Sequence, residues 1–77
     1  MRIKKGGGIV NVPKLKGKII ENGFTNSRFA KAINMPYATF FRRIENNGED
    51  FTIGEIERIV KVLNLTGREA TDIFLPA

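Results

Sequence analysis

"TNSRFAKAINMPYATFFRRIENNG", residues 25–48, contains two helical patterns separated by a short break. In the first, Thr25 is suited to cap a helix whose inward residues Phe29, Ala30 and Ile33 recur at i, i+1 and i+4, which predicts a helix over about 26–33. Asn34, Met35 and Pro36 then interrupt it. Asn tolerates a left-handed backbone, and Pro fixes a dihedral suited to the first turn of the next helix. That helix is predicted from Pro36 or Tyr37 to Glu45, with Asn46, Asn47 and Gly48 closing it in a left-handed cap.

The same periodicity extends outward in both directions. "PKLKGKIIENGF", residues 13–24, spaces Leu15, Ile19 and Ile20 at i, i+4 and i+5, with Pro13 suited to a helix start and Gly23 to its end. A first helix over about 14–22 follows. The Asn22-Gly23 pair is also a hairpin dipeptide, but its flanks lack the alternation a hairpin needs. Downstream, Thr52 with Glu55 and Thr66 with Glu69 spell two capping boxes, the starts of a fourth and a fifth helix. Ile53, Ile56, Val60 and Leu63, with Ile59 beside them, mark the inward face of the fourth, and Ala70, Ile73 and Phe74 that of the fifth. The expected fold is all-α, a compact five-helix domain over 13–77.

Residues 1–12, "MRIKKGGGIVNV", lack this period and read as a flexible basic, glycine-rich arm whose ordering no burial offsets. Lys-Lys-Gly-Gly-Gly is also what a purine-rich bacterial ribosome-binding sequence encodes, which would make Val10 or Val12 a GUG start. A natural tail and a remnant of an expression vector are the alternatives.

At 77 residues the chain encloses one core and is too short for a deep, multilayered catalytic cleft. It has no Cys and no His, which removes disulfides, thiolate zinc sites and the usual imidazole base. No signal-peptide pattern and no run approaching about 20 apolar residues occurs, so a soluble cytoplasmic setting is the expectation, with no membrane partner. The net charge of +5 is unevenly spread. Residues 1–43 carry ten Lys/Arg against Glu21 alone, and residues 44–77 carry three against seven acids. This polarity suits either a polyanion met by one face, nucleic acid above all, or an unevenly charged solvated surface.

Two helices of about eight residues joined by a three-residue turn form the unit that lays its second helix in a DNA major groove. Here the stretches 25–48 and "DFTIGEIERIVKVLNLTGREATDIF", residues 50–74, resemble the lambda-repressor and Cro family of helix-turn-helix regulators, also known as the xenobiotic-response-element family. Short phage-encoded members from Gram-positive hosts are the most similar. The resemblance spans about residues 14–75. It implies a lambda-repressor-like domain with the helix-turn-helix at helices 2 and 3, bound as a transcriptional regulator to double-stranded DNA in the bacterial cytoplasm, with two copies pairing on inverted half-sites. The chain departs from the family pattern at three positions. Asn26 stands where Gln opens helix 2, Asn34 where Gly makes the bend, and Pro36 where Ser or Thr precedes helix 3.

Helical geometry sorts the residues of helix 3. At about 100° per residue, Phe40 and Ile44 define an inward direction, with Arg42 and Ala38 opposite. Glu45 shares the outer face at the distal end; Tyr37 and Phe41 lie on one flank, Thr39 and Arg43 on the other. The base-reading candidates are therefore Tyr37, Ala38, Phe41 and Arg42. Arg42 suits the O6 and N7 of guanine, Ala38 or Phe41 a thymine methyl, and Tyr37 a base edge or a phosphate. Asn26, Ser27, Arg28, Arg43 and Asn46 are the phosphate-contacting candidates, because helix 2 starts with short polar groups and free amides. Asn47 is a further possibility. The structural alternative makes Tyr37 and Phe41 half-buried packing, Phe41 over helix 4, and the polar residues solvated surface.

Catalytic readings have little support. Glu55 is explained by its cap, while Glu57, Glu49 and Asp50 fall on an exposed helical face or a loop. "KKGGGIV" lacks the Gly-Lys-Ser/Thr ending and the preceding strand of a phosphate loop. No enzyme activity, metal, cofactor or small-molecule ligand is expected. The functional alternative is an antitoxin-like or adaptor protein-interaction module on the same fold, suggested by Tyr37, Phe41 and the ending "IFLPA". General RNA or single-strand binding by stacking is a weaker third, because Phe40 is expected in the core.

Overall fold

The computed structural model describes residues 10–75. Among these the chain forms five α-helices and no strand: α1 (Val12–Glu21), α2 (Asn26–Ala32), α3 (Tyr37–Glu45), α4 (Ile53–Val62) and α5 (Gly67–Phe74). Side chains set most of the starts. Asn11 Oδ1 accepts from the Lys14 amide at 3.3 Å, and Thr25 Oγ1 accepts from the Arg28 amide at 3.1 Å. Thr52 and Thr66 form the two reciprocal capping boxes with Glu55 and Glu69. Pro36, at the head of α3, offers no side-chain cap.

The stops of the first four helices share one device. Gly23, Asn34, Asn47 and Asn64 have φ of 83°, 62°, 59° and 53°, each just past a helix end. In each case this residue and the next donate back to the helix, as where Asn34 N–H meets Lys31 O and Met35 N–H meets Ala30 O, both at 2.9 Å. These are paired Schellman closures, which satisfy carbonyls the helix leaves open. They turn the chain sharply enough for α2 to pack on α3, and α1 on α5.

The core is built where the spacing puts it, around Leu15, Ile19, Phe29, Ala30, Ile33, Phe40, Ile44, Ile59, Leu63, Ile73 and Phe74, all buried. Ring contacts run from Phe24 to Phe29 to Phe40 to Phe51, with centroids 5.5, 5.7 and 6.3 Å apart. They join α2, α3 and the loop before α4. Edge-on pairs of this kind add to the area they bury.

Three expectations shift. The arm expected over 1–12 gives way to packed chain at Val10, while residues 1–9 lie outside the described residues. Val10 is buried and donates to Asn47 O at 3.2 Å, and Asn11 N–H donates to Ile73 O at 2.7 Å. The apolar Val10 side chain takes the space left by Gly48, where an added Cβ would lie 2.5 Å from Val10 Cβ. With Asn11 as cap, α1 starts two residues before the predicted 14. Secondly, Ile20 is exposed, because it falls about 100° past Ile19 and off the Leu15–Ile19 strip. Thirdly, Ile53 is also exposed, since the inward direction of α4 runs through Ile56, Ile59 and Leu63 and leaves this first-turn residue at its edge. Among the described residues no helix is long and apolar enough to cross a membrane.

Candidate nucleic-acid interface

One side of α3 is locked and the other is open. Phe40 and Ile44 are buried in the core, and Arg43 is held against the start of α4. Its guanidinium donates to Asp50 O at 2.7 Å and to Glu55 Oε2 at 3.0 Å. Thr39, on the same flank, is half-buried. The remaining arc displays Tyr37, Ala38, Phe41, Arg42 and Glu45. It spans about 140° of the helix and leans toward the aromatic side, because the opposite flank is closed by α4. Tyr37 and Phe41 are 47% and 48% exposed, with ring centroids 6.0 Å apart at a 34° tilt. Phe41 sits against Tyr37, one turn back. All four base-reading candidates share this arc.

The phosphate-contacting set divides. Asn26, Ser27 and Arg28 are exposed in the first turn of α2. Arg43 is engaged within the chain, with Nη1 donating to the Asp50 carbonyl and Nη2 to Glu55, while its Nε is buried without a partner. The charge order along the chain concealed this: Glu55 is read at the sequence level as a cap alone, yet one carboxylate oxygen serves the cap and the other the arginine. Asn46 is exposed, and its Nδ2 donates to Asp50 Oδ2 at 2.8 Å.

Folding also changes the electrostatics. Lys18 Nζ lies 2.7 Å from Glu69 Oε2 and 3.7 Å from Glu21, and Lys14 lies 3.5 Å from Asp72. The hydrogen bond from Lys18 holds the Glu69 carboxyl below its usual range, helped by the Thr66 amide, and Lys18 is correspondingly raised. Acids of the last helix thus pair with two lysines of the first. Arg28, Lys31 and Arg42 make no ion pair with another described residue.

Comparison with protein-family models, curated proteins and solved structures yields no match. The residues alone carry the site.

Two contributors escaped the sequence reading. Lys31 lines an open hollow with Asn34, Met35 and Pro36, at the turn leading into α3. Its position three after Arg28, on the outward face of α2, is the signal that marks it. Arg58 Nε donates to Ile33 O at 2.8 Å, tying α4 to the end of α2 just before that turn. A long-range side-chain bond to a carbonyl leaves no periodic trace.

Proposed function

We propose that the chain is a sequence-specific, double-stranded DNA-binding transcriptional regulator of the repressor and Cro type. In this reading α2 and α3 are the helix-turn-helix of a lambda-repressor-like domain, and α3 enters the major groove. The observation that supports it is the open arc of α3, where Tyr37, Ala38, Phe41 and Arg42 stand together on a helix anchored on its other side by Phe40, Ile44 and Arg43. Arg42 reads guanine; Ala38 and the two rings meet the apolar parts of the bases. Asn26, Ser27, Arg28 and Lys31 supply backbone contacts that set register without specifying sequence. A helix of nine residues reaches only a few base pairs, so two copies bind inverted half-sites about one helical turn apart. The bacterial cytoplasm is the corresponding setting.

Selection of duplexes from a random pool by the full chain tests this. The reading requires an enriched site, bound in a salt-dependent way in excess unrelated competitor, with two copies on a full inverted repeat. An unenriched pool contradicts it.

A second reading, an antitoxin-like or adaptor module, is favoured by a different observation. A hollow of about 260 Å³ is lined by Ile56, Ala70, Thr71, Phe74 and the exposed Leu75. On that reading a protein partner fills it, and no duplex is enriched.

A further inference from the structure

The arc of α3 offers a narrow set of chemistries. Arg42 is a donor only, matched among base edges to the paired acceptors of guanine. Glu45, at the distal end, is an acceptor only. The paired contact to adenine N6 and N7 needs the amide of Asn or Gln, and α3 contains neither. The nearest amide, that of Asn46, donates to Asp50. What the arc has in quantity is apolar surface: two half-exposed rings in contact, with the Ala38 methyl beside them. Tyr37 and Phe41 lie about 6 Å apart along the helix axis, the span of roughly two base-pair steps. About half of each ring is left open by the described residues. In the major groove the apolar projection from the bases is the C5-methyl of thymine.

We infer that the two rings of α3 read pyrimidine C5-methyl groups, so that each half-site is a guanine contacted by Arg42 with one or two adjacent 5-methylpyrimidines. This rests on the DNA-binding proposal and narrows it to a substrate class. The methyl is the recognised group, whichever pyrimidine bears it. Removing it leaves the rings against a void in the groove, and 5-methylcytosine serves better than cytosine at the same position. Arg28, Lys31 and Arg42, without an ion pair among the described residues, supply the attraction that brings a polyanion, in place of an apolar peptide, to this arc.

The test uses the duplex enriched by the full-length chain, with each thymine replaced in turn by deoxyuridine, which deletes one methyl and nothing else. At one or two positions per half-site the dissociation constant should rise about fourfold. Phe41→Ala, at an exposed position that leaves the core intact, should lose the uracil penalty at the position its ring faces, while Arg42→Ala keeps the difference. Cytosine placed at the sensitive position should bind less tightly than 5-methylcytosine. An enriched, salt-dependent site on which uracil is neutral everywhere overturns the inference and leaves DNA reading standing. A uracil penalty that persists in full in both Phe41→Ala and Tyr37→Ala also overturns it, by removing the rings as the reader. Failure to enrich any duplex overturns the inference together with the reading beneath it.

Discussion

Arg43 on α3 and Glu55 on α4 meet at 3.0 Å, and Glu55 at the same time accepts from the Thr52 amide that begins its own helix. One carboxylate therefore fixes both the start of α4 and the flank of α3. Because the Arg43 and Glu55 side chains are 23% and 13% exposed, water screens the pair only in part.

Arg43→Ala should lower stability by about 1–2 kcal/mol, through the lost charge-assisted bond and lost stem packing. Lys should not restore it, since it lacks the fork that reaches both Asp50 O and Glu55. Salt titration of DNA binding separates bracing from phosphate contact. Arg28→Ala should reduce the slope of log K against log salt by about one, and Arg43→Ala should leave it unchanged.

Glycine replacements should have opposite signs in different places. Gly48 has φ +75°, and a Cβ there would meet Val10 at 2.5 Å, so Gly48→Ala should destabilise by more than the roughly 1–2 kcal/mol of a left-handed alanine. Gly17 and Gly54 lie within α1 and α4 with nothing within 4 Å of the added carbon. Alanine at either should stabilise by about 0.5–1 kcal/mol. Thermal melts of the three variants check the signs. A loss for Gly48→Ala no larger than the roughly 1–2 kcal/mol of the left-handed backbone would show that Val10 does not pack there.

Acid and alkali should each remove the same contact. Glu69 is held below its ordinary 4.5, so its contribution is complete above that value and is lost as pH falls through the lowered one. Lys18 is raised above 10.5, so its contribution is complete below that value and is lost as pH rises through the raised one. Stability from this pair is therefore flat between the two. Glu69→Gln keeps a cap but removes the charge, and should flatten both limbs in pH-dependent melts. Limbs identical to those of the parent would assign the pH dependence to other groups.

Much of this fold is legible because it is written in local, periodic signals. Thr25, Thr52 and Thr66 announce helix starts by type and spacing, and Asn34 and Asn47 announce stops by their tolerance of positive φ. The inward residues Phe40 and Ile44 fix the rotation of α3, and with it the open arc. What is not legible depends on distant partners. Val10 has no periodic neighbours, and only the room above Gly48 makes it core. Arg42 and Arg43 look alike in sequence, yet one is displayed and the other is held by a residue twelve positions on. Ile20 and Ile53 are apolar residues at helix edges, where periodicity does not decide burial.

Arg42 carries the central claim, and one measurement tests it most directly. The affinities of the parent and of Arg42→Ala are compared across every single-base-pair variant of the selected site, at fixed salt and with melting temperatures matched. The account predicts a loss of roughly 1–3 kcal/mol for the variant on the preferred site, with the preference at one guanine-cytosine pair flattened and the others kept. An Arg42→Ala profile that matches the parent at every position would contradict it, and would remove α3 as the element that reads DNA through this side chain.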